Sequence, residues 1–233
     1  VSVTDRCDLR CVYCMKEKMN FFPKNEILSL EEIERLCDNF IELGIEKIRL
    51  TGGEPLVRKD IIKLISRLYI KIDKTNLKEI TLTTNASLLS TYAKDLKLNG
   101  IKRINISLDT IDPKKYNKIT RFGNIKNVMD GIDEALKNKI KLKINTVAIK
   151  GFNEDEYERL IQWTSQRNID LTFIEVMPMA ETDKNREDQF ISLEEIYKKL
   201  NQEYQFFKID KNTGGPATYY SSKKIKNNIG FIS

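Results

Sequence analysis

Lys47-Ile48-Arg49-Leu50-Thr51-Gly52-Gly53-Glu54-Pro55, followed by a helix-period run over residues 59–72, decides the fold. A short run rich in apolar and β-branched residues ends on a glycine pair and a proline, and the hydrophobic period then lengthens from two to about 3.6. This is one strand, one turn and one helix. The unit recurs outward in both directions. Apolar or β-branched runs bounded by Gly, Asn, Asp or Pro predict strands over residues 1–4, 47–51, 79–84, 103–108, 142–149 and 171–177. Helical spacing predicts helices over 29–43, 59–72, 90–98, 125–137 and 154–167, the first opened by the capping box Ser29-x-x-Glu32. Repeated βα units imply a parallel sheet.

The first predicted strand is not followed by a Gly-x-Gly-x-x-Gly turn, which argues against a doubly wound dinucleotide fold and for a barrel. A complete eight-stranded barrel takes about 250 residues, and this chain has 233. The expected fold is therefore α/β, an incomplete (β/α)6 TIM-like barrel in one domain over residues 1–233. A further helix is expected over 193–201, among Gly-rich and Lys-rich loops, and the chain stops inside the strand-like run 228–233.

With 40% apolar residues the chain can bury a sizeable core, which excludes disordered and fibrous classes. No apolar run approaches the roughly 18 residues of a membrane span, and no signal-peptide pattern opens the chain, so a cytoplasmic protein without a membrane partner is expected. The start at Val1 predicts a fragment of a longer protein. The net charge of +6 comes from 40 Lys and Arg against 34 Asp and Glu. Only 11 of the 40 are Arg, and the Lys are interspersed with acids on helix-like stretches, as on solvated faces. No nucleic-acid partner is expected.

Four Cys and no His exclude Cys2His2 zinc sites and any Cys-His or Ser-His catalytic pair. Cys7, Cys11 and Cys14 form a C-x3-C-x2-C loop directly after the first predicted strand, at the sheet edge where barrel enzymes place their chemistry. Zinc would need a fourth ligand, and Cys37 reads as a small core residue in mid-helix. An iron-sulfur cubane on three thiolates keeps one iron open for a substrate or cofactor.

The cysteine loop, Tyr13 before its third Cys, and Gly52-Gly53-Glu54-Pro55 resemble the radical S-adenosylmethionine (SAM) superfamily. Further stretches, in order, resemble its GTP-cyclising branch, which opens molybdenum cofactor biosynthesis: Val3-Thr4-Asp5-Arg6-Cys7, Leu50–Leu56, Thr83-Thr84-Asn85, Ile106-Ser107-Leu108-Asp109, Lys143-Ile144-Asn145, Phe173–Pro178 and Gly215-Pro216-Ala217. The resemblance implies that Cys7, Cys11 and Cys14 hold a 4Fe-4S cluster, that Tyr13, Gly53, Ser107 and Met177 line the SAM site, and that Arg49, Thr83 and Lys143 contact GTP. The implied reaction starts when a 5'-deoxyadenosyl radical takes the C3' hydrogen of GTP, and it yields 3',8-cyclo-7,8-dihydro-GTP.

The resemblance further implies an electron donor for the cluster and a cyclic pyranopterin monophosphate synthase that uses the product, and it admits a homodimer. A second cluster on three C-terminal Cys is expected in the longer protein, with residues from roughly 180 to 233 as the start of that region. From the residues alone, Arg49 and Lys143 are cations in strand-like runs, where burial is costly unless they meet an anion. The alternative is that they point outward to helix carboxylates. A hydroxyl such as Thr83 or Ser107 is ordinary at a strand end, Met177 could simply pack in the core, and Gly53 is read as a place where backbone must approach SAM closely. Two other readings stay open: a peptide-maturing radical SAM enzyme and a non-catalytic iron-sulfur or zinc module.

Overall fold

A computed structural model describes residues 1–177 and 187–233. Pro178 and the expected boundary near residue 180 lie outside the described residues. Two compact units share the chain in an interleaved way. The first comprises residues 1–9, 18–106 and 124–142; the second comprises 10–17, 107–123 and 143–233.

The first unit is built on β1 (Lys47–Leu50), β2 (Glu79–Thr84) and β3 (Arg103–Ser107, whose last residue falls in the second unit). Both pairings, β1 with β2 and β2 with β3, are parallel. Register alternation divides the strands into two faces. Ile48, Leu50, Ile80, Leu82, Ile104 and Ile106 share the apolar face and are at most 3% exposed. Lys47, Arg49, Glu79, Thr81, Thr83, Arg103 and Asn105 share the other face.

The helices of this unit are α1 (Leu30–Glu42), α2 (Ile61–Tyr69), α3 (Leu89–Leu98) and α5 (Ile125–Lys137). The capping box of α1 forms as expected: Glu32 N–H donates to Ser29 Oγ at 3.1 Å, and Ser29 N–H to Glu32 Oε2 at 2.7 Å. Cys37 is fully buried in the stripe Ile33, Cys37, Ile41. α2 is shorter than the predicted 59–72 because Asp60 takes a left-handed φ of 62° ahead of its first turn.

The predicted first strand is reduced to a bridge. Ser2 pairs with Thr51, Val3 N–H donates to Thr51 O at 2.9 Å, and the ladder goes no further.

The second unit carries β4 (Lys141–Ala148, its first two residues in the other unit), β5 (Asp170–Glu175), β6 (Phe207–Ile209), β7 (Thr218–Ser221) and β8 (Ile229–Ile232). β4, β5 and β8 are parallel, whereas β7 runs antiparallel to both β8 and β6. Its helices are α4 (Pro113–Thr120), α6 (Tyr157–Gln166) and α7 (Leu193–Tyr204). The β6–β7 hairpin replaces the loops expected there, and α4 was not predicted. Asp112 caps α4 by accepting from Lys114 and Lys115 N–H, with Pro113 in the first turn. Among the described residues no helix is long and apolar enough to cross a membrane.

Candidate radical site and anion-binding face

In the first unit, the approach of two backbones positions Cys7. Gly53 N–H donates to Thr4 O and Glu54 N–H to Arg6 O, each at 2.8 Å. A Cβ on Gly53 would stand 2.3 Å from Arg6 O, and one on Gly52 would stand 2.5 Å from Thr4 O. The glycine pair is thus required by the segment leading into Cys7. This close approach of two backbones is a structural reason for Gly53 beyond the turn and the SAM contact expected from sequence.

Glu54, 1% exposed, accepts from Leu56 N–H at 3.0 Å, Thr84 Oγ1–H at 2.7 Å and Asn85 N–H at 2.7 Å. Burial pushes its carboxyl up to about 7, although these three donors pull the other way. Asn85 in turn donates through Nδ2 to Asp8 Oδ1 at 2.8 Å and lies 3.8 Å from Cys7 Sγ. Leu9 N–H also points at that sulfur, at 3.4 Å.

In the second unit, the unpredicted α4 anchors the loop that carries Cys11 and Cys14. Val12 N–H donates to Ile119 O at 2.9 Å and Arg10 N–H to Thr120 O at 3.1 Å. Arg121 ties the loop's two ends by donating to Arg10 O and Met15 O. Tyr13 Oη donates to Asp109 Oδ2 at 2.7 Å, and Asp109 Oδ1 accepts from Val147 N–H at 2.8 Å. Burial raises the Asp109 carboxyl to about 6 and, together with the Asp109 charge, holds the Tyr13 phenol well above its usual range.

Ser107 ends β3, half-buried. Met177 lies just past β5 and is 52% exposed, so it is not the core residue of the bland reading. A cleft of about 400 Å³ opens beside the loop, lined by Val12, Ile119, Ile149 and Phe152 with Lys118 and Lys150.

None of the four cysteines forms a disulfide; Cys7 and Cys11 are half-buried, Cys14 is exposed and Cys37 is buried. Three accessible thiols without disulfides suit iron-sulfur ligation. Among the described residues no three Cys, Asp or Glu gather at single-ion spacing.

The cations of the polar faces have unequal surroundings. At the start of its strands, Glu79 takes both Lys47, at 3.1 Å, and Arg103, whose Nη2 lies 3.2 Å away. These charges push the Glu79 carboxyl below its usual range, against the effect of burial. Arg49, half-buried with a buried Nε, lies in register with Thr81, and Thr83 follows on the same face.

In the second unit, Lys143 is the third of eight residues in β4, inside a strand as expected. Its Nζ donates to Tyr219 Oη at 3.3 Å. Neither Arg49 nor Lys143 sits on the apolar face of its strand. Asn85, Asp109, Arg121 and Tyr219 were assigned no role from sequence. Asn85 and Asp109 stood inside the quoted motifs, and Asp112-Pro113 was the available signal for α4.

The radical SAM superfamily model matches residues 1–164, and a Molybdenum Cofactor Synthesis C model matches residues 169–233. The chain belongs to the radical SAM superfamily. It is 52% identical over all 233 residues to GTP 3',8-cyclase of Rhizobium etli, covering 67% of that protein. It is 49% identical to that of Mesorhizobium japonicum, covering 70%. Among solved radical SAM structures, Streptococcus suis SuiB matches the whole chain with a TM-score of 0.67 at 18% identity, over 48% of its own length. Native anSMEcpe with bound AdoMet matches 86% of the chain at a TM-score of 0.65 and 19% identity, over 57% of its own length. These likenesses support the α/β, parallel-rich, incomplete TIM-like barrel read from the sequence.

Proposed function

We propose that this radical SAM chain converts GTP to 3',8-cyclo-7,8-dihydro-GTP, the opening step of molybdenum cofactor biosynthesis. The observation that carries the reading is a likeness running through all 233 residues rather than through the cysteine loop alone. Cys7, Cys11 and Cys14 would hold the 4Fe-4S cluster. Tyr13, Gly53, Ser107 and Met177 would hold SAM. Bound there, cluster and SAM supply a carbon-centred radical able to take a ribose hydrogen atom.

The chain's own residues bind and orient. Arg49, Thr83 and Lys143 present two cations and a hydroxyl to the triphosphate. Asp109 fixes Tyr13, while Glu54 fixes the Asn85 that supports Cys7. The 233 residues are read as one radical SAM core domain that passes, from about residue 180, into a region that carries a second cluster in the longer protein. An electron donor, a downstream cyclic pyranopterin monophosphate synthase, a homodimer and a cytoplasmic setting complete the reading, with neither nucleic acid nor membrane as partner. Anaerobic reconstitution with iron and sulfide, then SAM and dithionite, is expected to release 5'-deoxyadenosine. Its absence from a fully loaded protein would favour the non-catalytic module.

A further inference from the structure

We infer that a basic cleft of the first unit, with exposed apolar side chains beside it, is the docking surface for an acidic electron-carrier protein that reduces the cluster. The inference rests on the proposal that Cys7 ligates a 4Fe-4S cluster served by an electron donor.

The cleft measures about 530 Å³ and lies between residues 24–31 and the start of α2. Arg6, Lys24, Arg58, Lys59, Lys63 and Arg67 line it against two carboxylates, an excess of four positive charges. Both carboxylates already serve cations: Asp60 pairs with Lys63 at 3.1 Å, and Glu31 accepts from Arg67 at 3.1 Å and lies in the field of Arg58. Arg6 and Arg58 are each held by a backbone carbonyl, Arg6 by Phe22 O at 3.3 Å and Arg58 by Leu28 O at 2.8 Å. A carbonyl takes one of a guanidinium's five donors and none of its charge.

The two carbonyls belong to large apolar residues that face outward: Phe22 is 62% exposed and Leu28 48%. A small anion would use the cations and gain nothing from Phe22 or Leu28, whereas arginines beside an exposed aromatic ring are typical of a protein interface. Arg6 is the residue before Cys7, and Asp5 Oδ2 accepts from Phe22 N–H at 2.8 Å, so the apolar rim is fastened to the segment leading into a cluster ligand. An electron crosses from carrier to cluster through space, so the docking face has to lie beside such a ligand. In that step the carrier is oxidised by one electron and the cluster reduced by one; no bond forms or breaks and no proton is transferred. Small interfaces steered by opposite charge suit such brief encounters.

Flavodoxin, an acidic flavin carrier, is the probe, and calorimetry at rising NaCl measures its binding to the reconstituted wild type, Phe22→Ser, Lys24→Glu/Lys59→Glu and the control Lys126→Glu/Lys137→Glu, which changes two exposed lysines of α5. Phe22→Ser and the Lys24/Lys59 pair should each weaken binding about tenfold, the lysine pair should also flatten the salt dependence, and the control should stay within about twofold of wild type. With reduced flavodoxin as donor, bleaching of the cluster should slow in the same order, while dithionite should reduce every variant alike. Wild-type affinity in Lys24→Glu/Lys59→Glu, or an equal loss in the control, overturns the inference alone. So does binding of phosphatidylserine vesicles through the same residues with flavodoxin unbound, which would make this a membrane surface. A fully loaded wild type that releases no 5'-deoxyadenosine with dithionite and SAM overturns the catalytic reading, and the carrier's role with it, even where flavodoxin binds.

Discussion

The two units surround their half-buried cations differently. In the first, Glu79 neutralises Lys47 and Arg103 together at the start of the strands. In the second, Lys143 meets the neutral phenol of Tyr219, and Asp170 is occupied by Lys211. A carboxylate contributes an ion pair, while the phenol contributes a hydrogen bond. Arg49 stands one position further along the polar face from the Glu79 cluster. The glycines differ in the same way. Gly53 faces unyielding backbone, whereas Gly230 faces two side chains.

The largest effect expected is all-or-none. Cys14→Ala should lose the reconstituted cluster, as judged by iron content and visible absorption, while Cys37→Ala, buried in α1, should keep about four irons per chain. The reverse pattern would dissociate the loop from the ligand set.

Next, Gly53→Ala should destabilise the chain by several kcal/mol and perturb the cluster through Arg6 and Cys7, since a backbone carbonyl 2.3 Å from the new Cβ cannot step aside. Gly230→Ala should cost less, about 1 to 3 kcal/mol in urea unfolding, because it meets the side chains of Thr172 and Tyr219 rather than backbone. Equal costs at the two sites would break the comparison.

A smaller effect concerns pH. Glu54 keeps its proton up to about 7 in the fold, whereas an ordinary Glu loses it near 4.5. The folded chain binds more protons in that window, so this group's contribution to stability falls as pH rises from about 4.5 to 7 and then levels. Asp109, raised to about 6, acts in the same sense. Urea unfolding at pH 5 and 7.5 should show Glu54→Gln removing roughly 1 to 3 kcal/mol of the wild-type decline. Gln should also be less stable at pH 5, because its amide N–H turns toward the donors that Glu54 accepts from.

The βα units were legible because period and turn chemistry agree there: β2 and α5 have the bounds expected, and β3, β4 and β5 differ by one or two residues. The failures have separate causes. Residues 1–4 have strand composition but only a single bridge, a matter of pairing that composition does not encode. β6 and β7 are three and four residues long, too short for a period to emerge among Lys and Gly. The site was legible where chemistry fixes residue type, as with the cysteines. It was not legible where a side chain serves another side chain: Tyr219 supports Lys143 across 76 positions and Asp109 supports Tyr13 across 96. No local spacing signals such pairs.

The central claim is that Arg49 and Lys143 receive the triphosphate of GTP, and equilibrium binding of GTP, ATP and guanosine to the wild type, Arg49→Ala, Lys143→Ala and Glu79→Gln tests it most directly. The account predicts binding of both triphosphates well above guanosine, a roughly ten- to hundredfold loss of GTP affinity in either cation variant, and little change in Glu79→Gln. Equal GTP affinity in the wild type, Arg49→Ala and Lys143→Ala would contradict it and move the peptide-maturing reading ahead.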